Sequence, residues 1–298
     1  EASTEPFDMR LQRMLGELPA LAHPGVKTAL VVGFGAGVTA GTLTLVPTLH
    51  RLVICEMEPL IPPVSTQFFR EQNYDVKDDP RTQIVYDDAR HFVLTTPEHF
   101  DLITSDPIHP WVKGSATLYS KEYFQMVRDH LNPGGVVTQW VPLYESSAAV
   151  VKSEIATFFA VFPQGSVWAN EIDGGGYDLF LLGSNAALTL NADQMQQDLA
   201  TPAYARMLAS LRDVGFQSAD DLLATYAGQA SDLAPWLAGA QINGDGNLRL
   251  QYLAGLALNI SDENGIYNAM LHYRRFPGNL IVGSEAALQP LRQALVPR

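Results

Sequence analysis

Apolar and polar positions along this chain fall into two regimes. Up to about residue 184, short apolar runs at 29–32, 51–55, 84–86, 100–105 and 136–140 alternate with stretches of helical spacing. Continuous apolar runs suit strands buried on both faces of a parallel sheet. Residues 1–7 read as irregular, and Asp8 can cap a helix to about Leu21 with Met9, Leu11, Met14, Leu15 and Leu18 on its apolar face. His23, Pro24 and Gly25 end it. Further helices are predicted from Val38, from Pro59 toward Gln72, from residues 87–90, over 121–131 and over 146–162. Asn132, Pro133, Gly134 and Gly135 read as a turn. Runs at 167–170 and 177–182 pair through Asp173, Gly174, Gly175 and Gly176. From about residue 190 strand signals disappear, and helical segments such as 204–212 and 248–258 take over. The pattern predicts an N-terminal helical segment (1–27), an α/β domain (28–189) whose sheet is parallel with a terminal antiparallel strand, and a helical appendage (190–298).

The stretch 29–58 organises the rest. Its first strand breaks into Gly33, Phe34, Gly35, Ala36 and Gly37, and its second ends on Glu56 and Glu58. Glycines after a strand allow a ligand close to the backbone, and a helix start offers free N–H groups. A carboxylate at the end of the next strand, about 20 residues on, suits the two hydroxyls of a ribose. The dinucleotide fingerprint would need a glycine where Val38 stands. GxGxG is closer to the loop of S-adenosylmethionine-dependent enzymes, so the sheet is expected to be Rossmann-like, of the S-adenosylmethionine-dependent methyltransferase type. A glycine-rich turn with no ligand is the alternative.

Composition narrows the partners. The 298 residues carry 32 acidic and 19 basic side chains, a net charge of −13, which disfavours nucleic acid or an anionic membrane and permits a cationic partner. Cys55 is the single cysteine, so no intrachain disulfide or cysteine-based zinc site can form, and core packing is its expected role. The weakly polar run 29–46 is interrupted by four glycines and does not read as a membrane span. No signal peptide is visible, and a first residue other than methionine suggests a piece of a longer protein.

Ligands of doubly wound sheets lie beyond the C-terminal strand ends. Four such ends here carry glycine or acid: Gly33 to Gly37, Glu56, Asp87 with Asp88, and Asp106. Helix capping is the plain alternative for each carboxylate. Asp88, with Ala89 behind it, could meet an adenine amino group, and Asp106 could take or orient the proton of an incoming amine. His109 shapes the same loop, Trp111 and Tyr119 could supply an apolar wall, and Lys113 is expected to face solvent.

The run FDLITSDP at 100–107, continuing through LYSKEYF at 118–124, resembles the active-site segment of spermidine synthases. Gln12, Leu18-Pro19, His23-Pro24 and the CEME run at 55–58 are similar as well. The resemblance covers residues 8–184 and is closest to soluble spermidine-synthase-like domains fused to membrane-spanning segments in bacteria. It implies an aminopropyltransferase of polyamine biosynthesis, moving an aminopropyl group from decarboxylated S-adenosylmethionine to a polyamine or other amine, without a metal. By motif, Gly33, Gly35, Gly37, Glu56, Asp88 and Ala89 would hold the donor. Asp106 and His109 would serve the chemistry, and Gln12, Trp111 and Tyr119 would line the acceptor. The implied location is the cytoplasm, free or as the soluble domain of a membrane protein. Dimers are common in that family, though no stretch here marks an interface.

Three departures stand out. The family's GGGDGG loop, whose aspartate holds the donor's amino group, has Ala36 in that place. The second aspartate of its DSSDP, an acceptor ligand, falls at His109, and the tyrosine before its glutamine is Leu11. A site without these carboxylates should bind diamines poorly, and Ala36 leaves room for a donor that keeps its carboxylate. Two other functions therefore stay open: a methyltransferase or other reaction on full S-adenosylmethionine, and a non-catalytic nucleoside-binding domain of a membrane protein.

Overall fold

Five strands run parallel through the centre of the computed structural model, which describes residues 3–23 and 25–297. They are β1 (Thr28–Val32), β2 (Arg51–Glu56), β3 (Thr82–Tyr86), β4 (Phe100–Ser105) and β5 (Leu131–Pro142). A hairpin of β6 (Ser166–Ile172) and β7 (Gly175–Ser184) completes the expected set, with β7 antiparallel to both β5 and β6. The reversed strand is thus the last of the α/β segment but lies inside the sheet, because β6 extends beyond it. After β8 (Leu190–Asn191), β9 (Tyr226–Gln229) adds to β6, giving the order β3-β2-β1-β4-β5-β7-β6-β9, while β8 pairs with β10 (Ile281–Val282).

Six helices accompany the first seven strands: α1 (Pro6–Ala22), α2 (Val38–Leu43), α3 (Ile61–Phe69), α4 (Ala89–Thr95), α5 (Lys121–Asp129) and α6 (Ala148–Phe159). The C-terminal third adds α7 (Ala192–Leu199), α8 (Ala205–Asp213), α9 (Ala219–Leu223), α10 (Ala230–Leu233), α11 (Arg249–Ala257), α12 (Glu263–Leu271) and α13 (Glu285–Ala294). No helix among the described residues is long and apolar enough to cross a membrane.

Alternation along the strands divides two cores. Ala29 and Val31 of β1 join α1, Leu52, Ile54 and Trp140 on one face, while Leu30 and Val32 join Val53, Cys55, α5 and α6 on the other. Cys55 is buried and free, as core packing requires. The Leu15 carbonyl of α1 accepts from Thr138 Oγ1 (3.2 Å) and Thr104 Oγ1 (3.4 Å), which pins α1 across β4 and β5.

Several boundaries differ from the sequence pattern for local reasons. α1 starts at Pro6, whose fixed φ suits a first turn, so Asp8 lies inside the helix rather than at its cap. Of the residues expected to end α1, Pro24 lies outside the described ones. The 132–135 stretch is not a separate turn. Leu131 already pairs with Phe100, the next pair is Leu102 with Val136, and the residues between bulge from β5, held by Asn132 Nδ2 donating to Asp101 Oδ1 at 2.7 Å. In the hairpin only Asp173 (φ 55) and Gly174 (φ 82) turn the chain, and Gly175 and Gly176 belong to β7. Strand signals fade after residue 190, yet β8, β9 and β10 form there; two to four residues are too few to show alternation, and partners far along the chain make them strands.

Close backbone contact seats α2. A Cβ on Gly41 would fall 2.3 Å from the Asn73 carbonyl oxygen. Gly41→Ala should therefore lower stability by about 1–3 kcal/mol, the usual cost of overpacking. Urea denaturation would register it as a lower midpoint with an unchanged slope.

Candidate active site

β1 has β2 on one side and β4 on the other, so the order of connection reverses there and a crevice opens beyond the C-terminal ends. The glycine loop leaves β1 at this point. Gly33 (φ 86), Gly35 (φ 53) and Gly37 (φ 80) all occupy the left-handed region. At Gly37 a Cβ would also lie 2.7 Å from the Phe34 ring. The Gly37 N–H donates to the Phe34 carbonyl at 2.7 Å, closing a tight turn before α2.

Glu56, at the end of β2, is tied into that loop. Its Oε2 accepts from the Phe34 N–H (2.7 Å) and its Oε1 from the Glu58 N–H (2.8 Å). Each oxygen keeps a further lone pair, and the half-buried carboxylate can accept two more donors. Ala36 is closed in by Met9 and Val38. Beyond β3, exposed Asp88 caps α4, accepting the His91 N–H at 2.9 Å, so the capping role is realised there with one oxygen still open. Ala89 is the first residue of α4, and Asp87 Oδ2 lies 2.7 Å from His91 Nδ1.

Asp106 follows β4 and is partly covered; its carboxyl has no hydrogen-bond partner among the described residues. Burial, with Asp8 adding repulsion, raises its pKa to about 6. Three residues on, half-buried His109 packs 4.2 Å from Trp111, 5.0 Å from Trp140 and 5.5 Å from Tyr144, ring centre to ring centre. Burial lowers its pKa to about 4, so the ring is neutral near pH 7, and its buried Nε2 has no hydrogen-bond partner among the described residues. Lys113 is exposed, as expected. Tyr119 is fully buried, and burial first, then Glu154 on α6 and Asp106, push its hydroxyl well above the ordinary range. Gln12 is buried on α1 and donates to the Asp8 carbonyl at 3.2 Å.

Asp8 and Asp178 were not among the residues the sequence nominated for chemistry. Asp8 stands one turn before Gln12 and acts electrostatically on Asp106, Tyr144 and Asp178. Asp178, on β7, is 1% exposed, and Trp140 Nε1 donates to its Oδ2 at 3.2 Å. One signal could have found it: an acid two residues before Phe180 in an otherwise apolar run. A cavity of about 570 Å³ also opens beside the first turns of α1, lined by Met9, Arg10, Arg13, Gln72, Glu171 and Asp213 among others. It contains none of the sequence-predicted site residues.

Residues 8–168 match the family described as Spermine/spermidine synthase domain. A polyamine aminopropyltransferase of Aeropyrum pernix is 33% identical over 151 residues, covering 47% of this chain and 48% of its own. Polyamine aminopropyltransferase 1 of Pseudomonas aeruginosa is 33% identical over 138 residues, 46% of this chain and 48% of the relative. The chain thus spans about half the length of these curated relatives. Among solved structures, the spermidine synthase from Thermotoga maritima superposes with a TM-score of 0.54 at 20% identity, covering 71% of this chain and 77% of that one, a likeness of fold.

Proposed function

This chain belongs to the spermine/spermidine synthase family, and we propose that its crevice transfers an aminopropyl group from decarboxylated S-adenosylmethionine to the nitrogen of a small amine or polyamine. One observation carries the reading: an unpartnered, partly covered carboxyl at the end of β4, in the same crevice as a loop-anchored carboxylate at the end of β2. In this reading Glu56 accepts the two ribose hydroxyls, with Gly33, Gly35 and Gly37 letting the nucleoside approach the backbone. The open oxygen of Asp88, beside Ala89, takes the adenine amino group.

Asp106 serves the acceptor. Ammonium ions cannot attack carbon, so the nitrogen must give up a proton first. A carboxyl near pKa 6 is mostly ionised at pH 7 yet more basic than a solvent-exposed aspartate, and can take that proton. The nitrogen then forms a bond to the methylene carbon on the sulfonium, the C–S bond breaks, and sulfur keeps the electron pair. Methylthioadenosine leaves. Neutral His109 offers a second polar contact, while Gln12, Trp111 and Tyr119 line the acceptor side. Alignment of nitrogen and carbon supplies the remaining rate gain.

With this reading go a cytoplasmic location, free or as the soluble domain of a membrane protein, and a homodimer. Residues 190–298 act in it as a largely helical appendage to the α/β domain. Calorimetry with decarboxylated S-adenosylmethionine, S-adenosylmethionine and methylthioadenosine, followed by product analysis with amines, tests the activity. The decarboxylated donor should bind more tightly and yield an N-aminopropyl product. Preference for the carboxylated donor together with a methylated product would sink the proposal.

A further inference from the structure

By pattern alone residues 190–298 are an appendage, yet one of its loops is built into the acceptor side of the crevice. The short turn Ser115–Tyr119 follows the Asp106 loop and ends on a residue of the acceptor wall. α11 packs onto that turn: Leu250, Ala254 and Ala257 cluster with Ala116 and Tyr119, and Trp111 packs against the same cluster.

Asn243 stands just before α11, fully buried and with every polar atom engaged. Its Nδ2 donates to the Ala116 carbonyl at 2.8 Å and to the Tyr119 carbonyl at 3.1 Å. Its Oδ1 accepts the Leu250 N–H at the start of α11, at 3.1 Å. The backbone is used as well. Its N–H donates to Thr157 Oγ1 on α6 at 2.9 Å, and its carbonyl accepts the Lys121 N–H, the first of α5, at 2.9 Å. A primary amide supplies two donors and an acceptor on a short stem, which neither aspartate nor an apolar residue offers. One residue of the appendage thus knots together the turn, α5, α6 and α11.

The knot reaches the chemistry along the loop before it. Ser115 Oγ donates to the Ile108 carbonyl, and the Val112 N–H to the His109 carbonyl at 3.0 Å. The segment carrying His109 and Trp111 is therefore bonded back to the turn that Asn243 holds. From the other side, Arg90 of α4 donates to the Thr117 carbonyl at 2.9 Å and pairs with Asp245, two residues past Asn243. Glu56 and the glycine loop, by contrast, are bonded to one another and to Glu58.

We propose that Asn243 is a positioning residue for the transfer: through Ala116 and Tyr119 it sets the acceptor wall against Asp106. This rests on the aminopropyl-transfer reading and gives residues 241–257 a part in it. Nucleoside binding, held by a separate set of bonds, does not depend on the knot.

The test compares Asn243→Ala and Asn243→Asp with Thr157→Val, using decarboxylated S-adenosylmethionine and 1,4-diaminobutane as probes. Aspartate keeps the shape and the bond from Leu250 but loses the paired donors, so it serves even if the alanine variant does not fold. Thr157→Val loosens the knot on α6 and leaves both Nδ2 bonds in place. Either Asn243 variant should lower kcat/KM for the amine about tenfold to a hundredfold, the usual reach of a misplaced aligning group, with the donor KM unchanged. Deuterium uptake over 107–119 should rise in the free variant. Thr157→Val should melt earlier than the parent and keep parental amine kinetics. Parental amine kinetics in the Asn243 variants overturns the assignment. So does an equal loss in Thr157→Val, or a loss shared by the donor KM, either of which marks the knot as structural. A parent that forms no N-aminopropyl product sinks the transfer reading first, and this inference with it.

Discussion

Asp106→Asn should slow aminopropyl transfer about 10²–10⁴-fold, the usual reach of a general base, while nucleoside affinity stays near that of the parent. Asparagine keeps the shape of the side chain but cannot take a proton from the attacking nitrogen. The pH profile adds a second reading. With the carboxyl raised to about 6, parent activity should fall as pH drops through that value, and the variant should lose this limb. Stability moves in a linked way. The folded pKa lies above the ordinary 3.8, so protonation favours the native state; that contribution is full below about pH 3.8 and is lost as pH rises through about 6. Relative to the parent, the asparagine variant should therefore be more stable at pH 7 than at pH 4, as thermal melts at the two values would register. Turnover within a few-fold of the parent, with the acid limb intact, would remove Asp106 from the chemistry.

Glu56→Ala should weaken methylthioadenosine at least about tenfold, since hydrogen bonds to a charged group contribute roughly 1.5–3 kcal/mol each and two are lost with the ribose. The structure adds a consequence for the free protein. The Phe34 and Glu58 N–H groups lose their acceptor, so the glycine loop should also be less well held. Glu56→Gln separates the effects. One amide oxygen can still accept from the backbone, so loop stability should be partly restored while ribose binding remains poor. Calorimetry alongside ligand-free melting curves reads both. Parental affinity in Glu56→Ala would place the nucleoside pocket elsewhere.

Legibility in the sequence followed the range of each interaction. Strand β4 occupies the residues its apolar run predicts, and β1, β2 and α2 begin or end within a residue of expectation. Continuous burial in a parallel sheet writes itself as an unbroken apolar run, and a glycine loop needs its glycines next to one another. Glu56 and Asp106 were visible because both stand at the ends of such runs. The bulge at 132–135 was not, because proline and glycines in a turn and in a bulge look alike until Asp101 holds Asn132.

By itself, then, the sequence determined the α/β alternation, the glycine loop, the acids at the strand ends and the likeness to spermidine synthases. All of these depend on neighbours within a few residues or on motifs that survive as short runs. Only the tertiary structure decided that β7 runs inside the sheet, that β9 completes its edge, and that Asp8 and Asp106 both act on the carboxyl of Asp178. Those facts rest on pairing and burial between segments far apart in the chain, where local pattern carries no record of which partner is met. Asp178 is the sharpest case. On β7 it is a lone acid among apolar residues, and its carboxyl is stripped of water and pushed up only because Trp140, Asn170 and segments far along the chain fold against it.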